Sequence, residues 1–354
     1  MYRINNFKEK GTFLNLNNIL LDLDFVRSQF PSFEDPMCKE WSFFENAGGS
    51  YVPKTVINKL SKFMISTKVQ PYAEYSMSKI AGQQMDEATK IFAKMINAEK
   101  KEIIIGDSTS SNLYVLSNAL KKNIKKGDEI IVTNQDHEAN ISPWSRLKEN
   151  GAVIKEWKFN KKNGELEIKD LKKLISEKTK IVAVTHCSNI IGSINDLKKI
   201  SEIVHKHGGI LIGDGVSFAP HGFPNVKKLN VDFYTFSLYK TYGPHLALLY
   251  GREEILKKLP NQNHQFLEGS YPYTINPGGP NHEELASLIG IYEYMMELYK
   301  HHFNDMNISI RDRIEKINIL ISAHEELVGN PILKFISERK DLKLIGKNEI
   351  KHKN

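Results

Sequence analysis

The chain has 354 residues, of which 40% are hydrophobic and 26% are charged, proportions that are typical of a globular protein and exclude a fibrous or wholly disordered one. Its 49 Lys and Arg residues exceed its 42 Asp and Glu residues, and the net charge is +7. Most of these cations are lysines spread along the chain, without an arginine-rich patch and aromatic partners. The charge therefore predicts a solvated surface and no nucleic-acid binding.

The sequence predicts neither a secretory signal nor a membrane span. The first 21 residues include Arg3 and Lys8 and contain no uninterrupted apolar core. No apolar run reaches the roughly 18 residues that a transmembrane helix needs. The two cysteines, Cys38 and Cys187, form neither a disulfide framework nor a CxxC pair. These features predict a cytoplasmic protein without a membrane partner.

The order of apolar runs predicts an α/β fold. Strands are expected at 102–105, 128–133, 152–157, 180–185, 209–213, 232–237 and 246–250, and helices at 82–98, 110–122, 168–176 and 196–207. Another helix is expected to end near residue 151. Beyond residue 280 we expect two long helices, at 283–299 and 305–327, and a short strand at 342–345. Short apolar strands that alternate with amphipathic helices indicate a mostly parallel sheet covered by helices on both faces.

Several common catalytic and nucleotide-binding motifs are absent. No HExxH zinc motif, GxxxxGK[ST] phosphate loop, GxGxxG dinucleotide fingerprint or GxSxG elbow occurs. No metal site is predicted. In parallel sheets, ligands bind at the carboxyl ends of the strands, so the polar residues that follow each strand are the candidates for a site.

Five such strand ends carry polar side chains, and they are those followed by or ending in Ser108 and Thr109, His137, Asn189, Asp214, and Ser237 with Lys240. Ser108 and Thr109 precede a helix, where they suit an anion, although taken alone they are better explained by an ordinary helix cap. Another buried strand ends at Asp214, and a carboxylate there needs a cation or a hydrogen-bond donor. Lys240 follows the strand at 232–237. An amine and a carboxylate on neighbouring strands are what a pyridoxal phosphate site requires.

The chain resembles the class V aminotransferase family, which includes the cysteine desulfurases and has the type I pyridoxal phosphate-dependent fold. The likeness is closest to a desulfurase-like branch. It rests on blocks that occur in family order: FENAGGSYVP at 44–53, DHEANISPW at 136–144, THCSNIIGSI at 185–194, DGVSFAPHG at 214–222, FSLYKTYGPH at 236–245 and, more weakly, PGGPNHEELA at 277–286.

The resemblance implies a role for each residue at the strand ends. Lys240 forms the Schiff base with pyridoxal 5′-phosphate and moves protons, and Asp214 pairs with the pyridine nitrogen. His137 stacks on the ring. Asn189 contacts the ring hydroxyl. Ser237, together with Ser108 or Thr109, holds the phosphate.

The resemblance also implies a domain plan. Residues 1–50 form an N-terminal segment, 51–280 the large cofactor-binding α/β domain, and 281–354 long helices that lead into a truncated or incomplete small domain. In relatives that small domain carries an arginine for the substrate carboxylate and, in desulfurases, a nucleophilic cysteine. Arg339, Cys38 and Cys187 do not match those positions. Tyr239 stands where many desulfurases have a histidine.

Two functions remain open at this point. The first is a pyridoxal phosphate-dependent enzyme, a homodimer, that acts on an amino acid by transamination, β-elimination or sulfur removal through Lys240. The second is a non-catalytic family member that binds the cofactor and serves as a scaffold or partner subunit. A cofactor-free lysine enzyme is disfavoured, because Asp214 and the hydroxyl-rich loop would then have no ligand.

Overall fold

The structure is a computed structural model that describes residues 19–350, and the strands of this part form one seven-stranded sheet. The strands are β1 Ile103–Gly106, β2 Glu129–Thr133, β3 Val153–Trp157, β4 Thr179–Thr185, β5 Ile210–Asp214, β6 Phe233–Ser237 and β7 Ala247–Gly251. Their order is β1-β7-β6-β5-β4-β2-β3, and only β7 runs antiparallel to its neighbours. The predicted mostly parallel α/β sheet is confirmed.

Helices cover the sheet and extend beyond it. They are α1 Leu23–Ser28, α2 Pro36–Lys39, α3 Lys54–Ser66, α4 Ser76–Met95, α5 Thr109–Leu120, α6 Ser142–Ser145, α7 Ile168–Leu174, α8 Leu197–Lys206, α9 Val226–Leu229, α10 Glu253–Leu256, α11 His282–Ser287, α12 Ile289–His302 and α13 Ile310–Glu338. The helix expected at 283–299 is thus two helices. The helix expected at 305–327 begins later and continues to Glu338.

Two further differences from the predicted elements have identifiable physical reasons. Helix α4 begins six residues before the predicted start, because its first turns bury the small residues Ser78 and Ala81, which give no strong apolar signal. The strand expected at 342–345 is absent from the structure. Leu342 and Ile345 are 47% and 50% exposed, and no neighbouring strand pairs with them. An apolar pair without a partner strand does not form a sheet.

The core lies on both faces of the sheet. Because successive strand residues point to opposite faces, Ile103 and Ile105 enter one cluster whereas Ile104 enters the other. Phe92 of α4 packs in the first cluster and Leu113 of α5 in the second. Burial on both faces explains why the strands are nearly continuous apolar runs.

The helices beyond residue 280 share this core. Leu285, Ile291 and Ile314 belong to the same cluster as Phe92, so α11, α12 and the first half of α13 pack on the helices that cover the sheet. The second half of α13 leaves Phe335 59% exposed. The division into three domains stays a prediction. Across residues 19–350, no helix combines the length and apolarity that crossing a bilayer demands.

The strand register determines which loops meet at the carboxyl edge. Strand β7 lies between β1 and β6, and both Gly106 and Ser237 pair with Ala247. The loop after β1 is therefore beside the end of β6, although the two are far apart in sequence. On the other side of β6, Thr185 pairs with Asp214. The ends of β1, β4, β5 and β6 consequently converge.

Close packing of α12 against α3 gives a first prediction. A Cβ atom at Gly290 would lie 2.5 Å from the backbone N and Cα of Val56, and the Gly290 carbonyl accepts a hydrogen bond from Thr55 Oγ1 at 2.7 Å. Gly290→Ala should lower the free energy of unfolding by about 1–3 kcal/mol, because backbone cannot move aside cheaply. Urea unfolding measures this.

Gly279→Ala is the matched control. The nearest atom to its new Cβ, apart from its chain neighbours, is His282 Nε2 at 3.8 Å, an ordinary contact. Its free energy of unfolding should change by less than about 0.5 kcal/mol. Equal stability of the two variants would contradict the packing described for Gly290.

Candidate functional site

The side chains singled out at the strand ends line a single cavity. Its volume is about 80 Å³, and its walls include Ser108, Thr109, His137, Asn189, Asp214, Ser237 and Lys240. Two larger cavities, of about 390 and 530 Å³, are lined by none of these seven residues. The fold therefore assembles the whole predicted set at the carboxyl edge of the sheet, where ligands of such sheets bind. The individual roles of the seven remain predictions.

One end of the cavity carries hydroxyl groups at the start of a helix. Helix α5 begins at Thr109, and its N-cap residue Ser108 accepts a hydrogen bond from the Ser111 backbone N–H at 3.1 Å. The hydroxyls of Thr109 and Ser237 are 2.9 Å apart, and both residues are buried. Unpaired backbone N–H groups and the positive end of the helix dipole favour negative charge at this position. Hydroxyls and amides together suit a phosphate group.

Asp214 lies at the end of β5, and only 3% of its surface is exposed. Its Oδ1 accepts a hydrogen bond from the Val216 backbone N–H at 2.9 Å. Burial raises the pKa of this carboxyl group, while the Val216 hydrogen bond and the charges of His137 and Lys240 act in the opposite direction. A buried carboxylate of this kind is stabilised by a cationic partner.

Lys240 is the last residue of a short 3-10 turn, Leu238–Lys240, that directly follows β6. Its side chain is half-buried and lines the cavity. Its Nζ lies 5.9 Å from the centroid of the Tyr239 ring, which stacks on His245 at 4.6 Å with an interplanar angle of 3°. The amine thus lies in the same cavity as Asp214, beside the stacked rings of Tyr239 and His245.

His137 and Asn189 occupy the exposed side of the cavity. His137 is the N-cap of a 3-10 turn, and its Nδ1 accepts a hydrogen bond from the Ala139 backbone N–H at 3.1 Å. A neutral ring therefore carries its proton on Nε2. Asn189 follows β4 on the loop that Ser188 closes by a backbone hydrogen bond to Ser193.

Asp136 is the residue of this region whose importance sequence reasoning missed. Thr133 Oγ1 donates to one carboxyl oxygen, and Asn140 Nδ2 donates to the other at 2.6 Å. Burial raises the pKa of Asp136 to about 8, and the nearby Asp214 contributes to the increase. Its position directly before His137 was the available signal.

This pKa predicts how Asp136 affects stability as a function of pH. Its pKa is about 8 in the folded chain, compared with 3.8 for an unperturbed group. Between these values the folded state binds more protons than the unfolded state, so this residue's contribution to stability decreases as the pH rises. Asp136→Asn should therefore gain stability relative to the parent chain on going from about pH 5 to about pH 8.

Urea unfolding of both proteins at the two pH values measures the effect. Asp170→Asn, which changes an exposed carboxylate that pairs with Lys173, is the control and should show no such gain. A stability difference between parent and Asp136→Asn that does not change with pH would show that Asp136 is not protonated in the folded state.

Comparison with known proteins identifies the family of the chain. The family model described as aminotransferase class V matches residues 42–317. An aminotransferase-like protein of Gibberella zeae is 42% identical over 278 residues, which cover 77% of this chain and 65% of that protein. A cysteine desulfurase-like protein of Aspergillus flavus is 35% identical over 263 residues, or 72% of this chain and 58% of that protein. The chain thus spans less than two thirds of the length of either relative.

Solved structures show the same fold. The apo structure of a cysteine desulfurase from Thermococcus onnurineus aligns with a TM-score of 0.75 and 25% sequence identity, covering 92% of this chain and 80% of that one. The family match includes every residue that lines the cavity. The fold is therefore the type I fold of pyridoxal phosphate-dependent enzymes, and the chain belongs to the class V aminotransferase family, whose cofactor is pyridoxal 5′-phosphate.

Proposed function

We propose that this chain is a pyridoxal phosphate-dependent enzyme that acts at the α carbon of an amino acid. The observation that carries the proposal is the cavity that brings the Lys240 amine, the buried Asp214 carboxyl and the hydroxyls at the start of α5 together. The proposal also accords with the similarity to aminotransferase-like and desulfurase-like proteins.

The donor set fits the cofactor. The hydroxyls of Ser108, Thr109 and Ser237, with the first amides of α5, bind the phosphate. Asp214 holds a proton on the pyridine nitrogen, because a buried carboxylate is stabilised by the resulting cation. The Lys240 amine is the group that would hold the cofactor covalently.

Residues of the cavity also orient the cofactor and transfer protons. When bound, pyridoxal phosphate supplies an electron sink for the charge that develops at the substrate α carbon. Lys240 removes the proton from that carbon and returns one in the later step. His137 would cover one face of the ring and Asn189 would donate to the ring hydroxyl, and these two contacts would restrict rotation of the ring.

The reaction after this proton transfer is transamination, β-elimination or sulfur removal. Sulfur removal requires a cysteine that accepts the sulfur atom. Neither described cysteine lines the cavity, and Cys187 is buried with its Sγ 3.9 Å from the Ser188 carbonyl oxygen. Among residues 19–350 no arginine lines the cavity either, and Arg339 pairs with Asp341 beyond the end of α13. Products of turnover must therefore identify the branch.

Lys240→Ala tests the central assignment. After incubation with pyridoxal phosphate and reduction with borohydride, the parent chain should carry one cofactor mass on the peptide that contains residue 240. The variant should carry none, and its turnover of any amino acid substrate should fall by at least about 10²-fold. Lys90→Ala, which changes an exposed lysine on α4, is the control and should behave as the parent.

Absorbance spectra of the loaded parent chain then decide between the two functions. Addition of L-cysteine, and then of other amino acids, should shift the band of the bound cofactor and release products for identification. A band that no amino acid changes would favour the non-catalytic scaffold. A parent chain without any cofactor band would overturn the proposal, and labelling of Lys240→Ala at normal stoichiometry would overturn the assignment of the lysine.

We propose further that the chain forms a homodimer through the surface near the N-terminal segment. Met37, Trp41 and Phe44 are 85%, 76% and 91% exposed, which is unusual for large apolar side chains so close together in sequence. Phe44 belongs to the N-terminal segment, whose Ser50 contacts the residues around Lys240, here called the Lys240 turn (residues 238–243). A second copy that covers these side chains would lie beside the cavity.

Sedimentation velocity at micromolar concentration measures the association. The parent chain should sediment as a dimer, and Phe44→Asp should increase the dissociation constant by at least about tenfold, because a buried charge is costly. Phe335→Asp, at an exposed apolar position on α13, should leave the dimer intact. A monomeric parent chain, or a dimer that only Phe335→Asp weakens, would contradict the proposed surface.

A further inference from the structure

Ser50 connects the N-terminal segment to both sides of the Lys240 turn. Its backbone N–H donates to the Tyr239 carbonyl oxygen at 3.0 Å, and its hydroxyl approaches the same oxygen at 3.3 Å. The hydroxyl oxygen also accepts a hydrogen bond from the Tyr242 backbone N–H at 2.8 Å. One serine, about 190 positions earlier in the chain, thus holds the residues before and after the lysine.

The hydroxyl supports a backbone conformation that is otherwise unfavourable. Tyr242 has φ of 73°, in the left-handed region that residues with a Cβ atom rarely adopt. Its ring packs against Tyr294 and Phe30, with centroids 5.4 and 5.9 Å away. Packing therefore holds the side chain of Tyr242, and Ser50 Oγ holds its amide.

Besides Ser50 and the packing of the Tyr242 ring, the turn is connected to the rest of the chain by the Leu238 backbone N–H, which donates to the Leu246 carbonyl oxygen at 2.7 Å. Its internal bonds run from the Thr241 and Gly243 backbone N–H groups to the Leu238 carbonyl oxygen, both at 2.9 Å. These bonds shape the turn but do not orient it relative to the cavity. The Ser50 bonds reach across to a different segment, so they restrict the direction in which the whole turn faces.

We propose that Ser50 is a positioning residue for Lys240: its hydroxyl orients the turn so that the amine faces the cavity. The inference rests on the function proposed for Lys240. A displacement of the turn moves the amine relative to its reaction partner, and transfer steps depend steeply on such distances. Ser50 touches neither cofactor nor substrate in this role and acts only through the turn.

Ser50→Ala tests the inference because it removes both hydroxyl interactions and keeps the backbone hydrogen bond. Amide hydrogen exchange of the cofactor-free protein should accelerate by about tenfold in the peptide that covers residues 238–246. Ser50→Thr, which keeps a hydroxyl, should restore slow exchange. Ser337→Ala removes an exposed hydroxyl that bonds the Lys334 carbonyl oxygen, and it should leave this peptide unchanged.

The loaded enzyme supplies a second, independent readout. In Ser50→Ala the pH midpoint of the bound cofactor's absorbance band should shift by about half a unit or more, because the geometry around the amine has changed. The value of kcat should fall about tenfold while KM stays within about twofold, and Ser50→Thr should recover both. A purely structural role would not move the pH midpoint.

The outcomes separate this inference from the proposed function. Unchanged exchange and an unchanged pH midpoint in Ser50→Ala would overturn the positioning role. A parent chain that takes up no cofactor would overturn the function proposed for Lys240, whereas the exchange measurement would still decide whether Ser50 holds the turn.

Discussion

Burial of the Asp214 carboxyl group is the constraint that organises the rest of the site. A carboxylate at the end of an apolar strand loses most of its hydration, and the single backbone hydrogen bond from Val216 replaces only part of it. The chain compensates by placing His137 and Lys240 close enough for their charges to favour the ionised form. A cationic ring nitrogen would complete this arrangement. The unfavourable burial of one carboxyl group and the binding of a cofactor are thus two aspects of one interaction.

The antiparallel strand β7 explains how the hydroxyl-rich end of the cavity forms. If β1 and β6 were direct neighbours in the sheet, the distance between the loop after β1 and the end of β6 would be different. Ala247 separates the two strands by one small residue at the carboxyl edge. Thr109 and Ser237 then share a hydrogen bond above it. A strand that carries none of the seven site residues therefore determines the distance between two of them.

The N-terminal segment contributes to the site without entering it. Gly49 packs against Tyr239, since a Cβ atom there would contact the tyrosine ring at 3.7 Å, and Ser50 bonds to both ends of the lysine turn. This explains why the block at 44–53 belongs with the family pattern although none of its residues was assigned to the cofactor. In the proposed role this block holds the turn, and Phe44 within it is 91% exposed.

The sequence by itself determined the class of fold, because the alternation of apolar strands and amphipathic helices follows from local patterns. It also determined the candidate set, because polar residues after parallel strands meet at one edge whatever the strand order. Only the tertiary structure decided that all seven line one small cavity, that the charge of Asp214 acts on Asp136, and that Ser50 bonds to the residues on both sides of Lys240. Those facts depend on contacts between residues far apart in the chain, which leave no periodic signal. The tertiary structure also determined the extent of α4 and the absence of a strand at 342–345. Both depend on whether a neighbouring element packs against the segment.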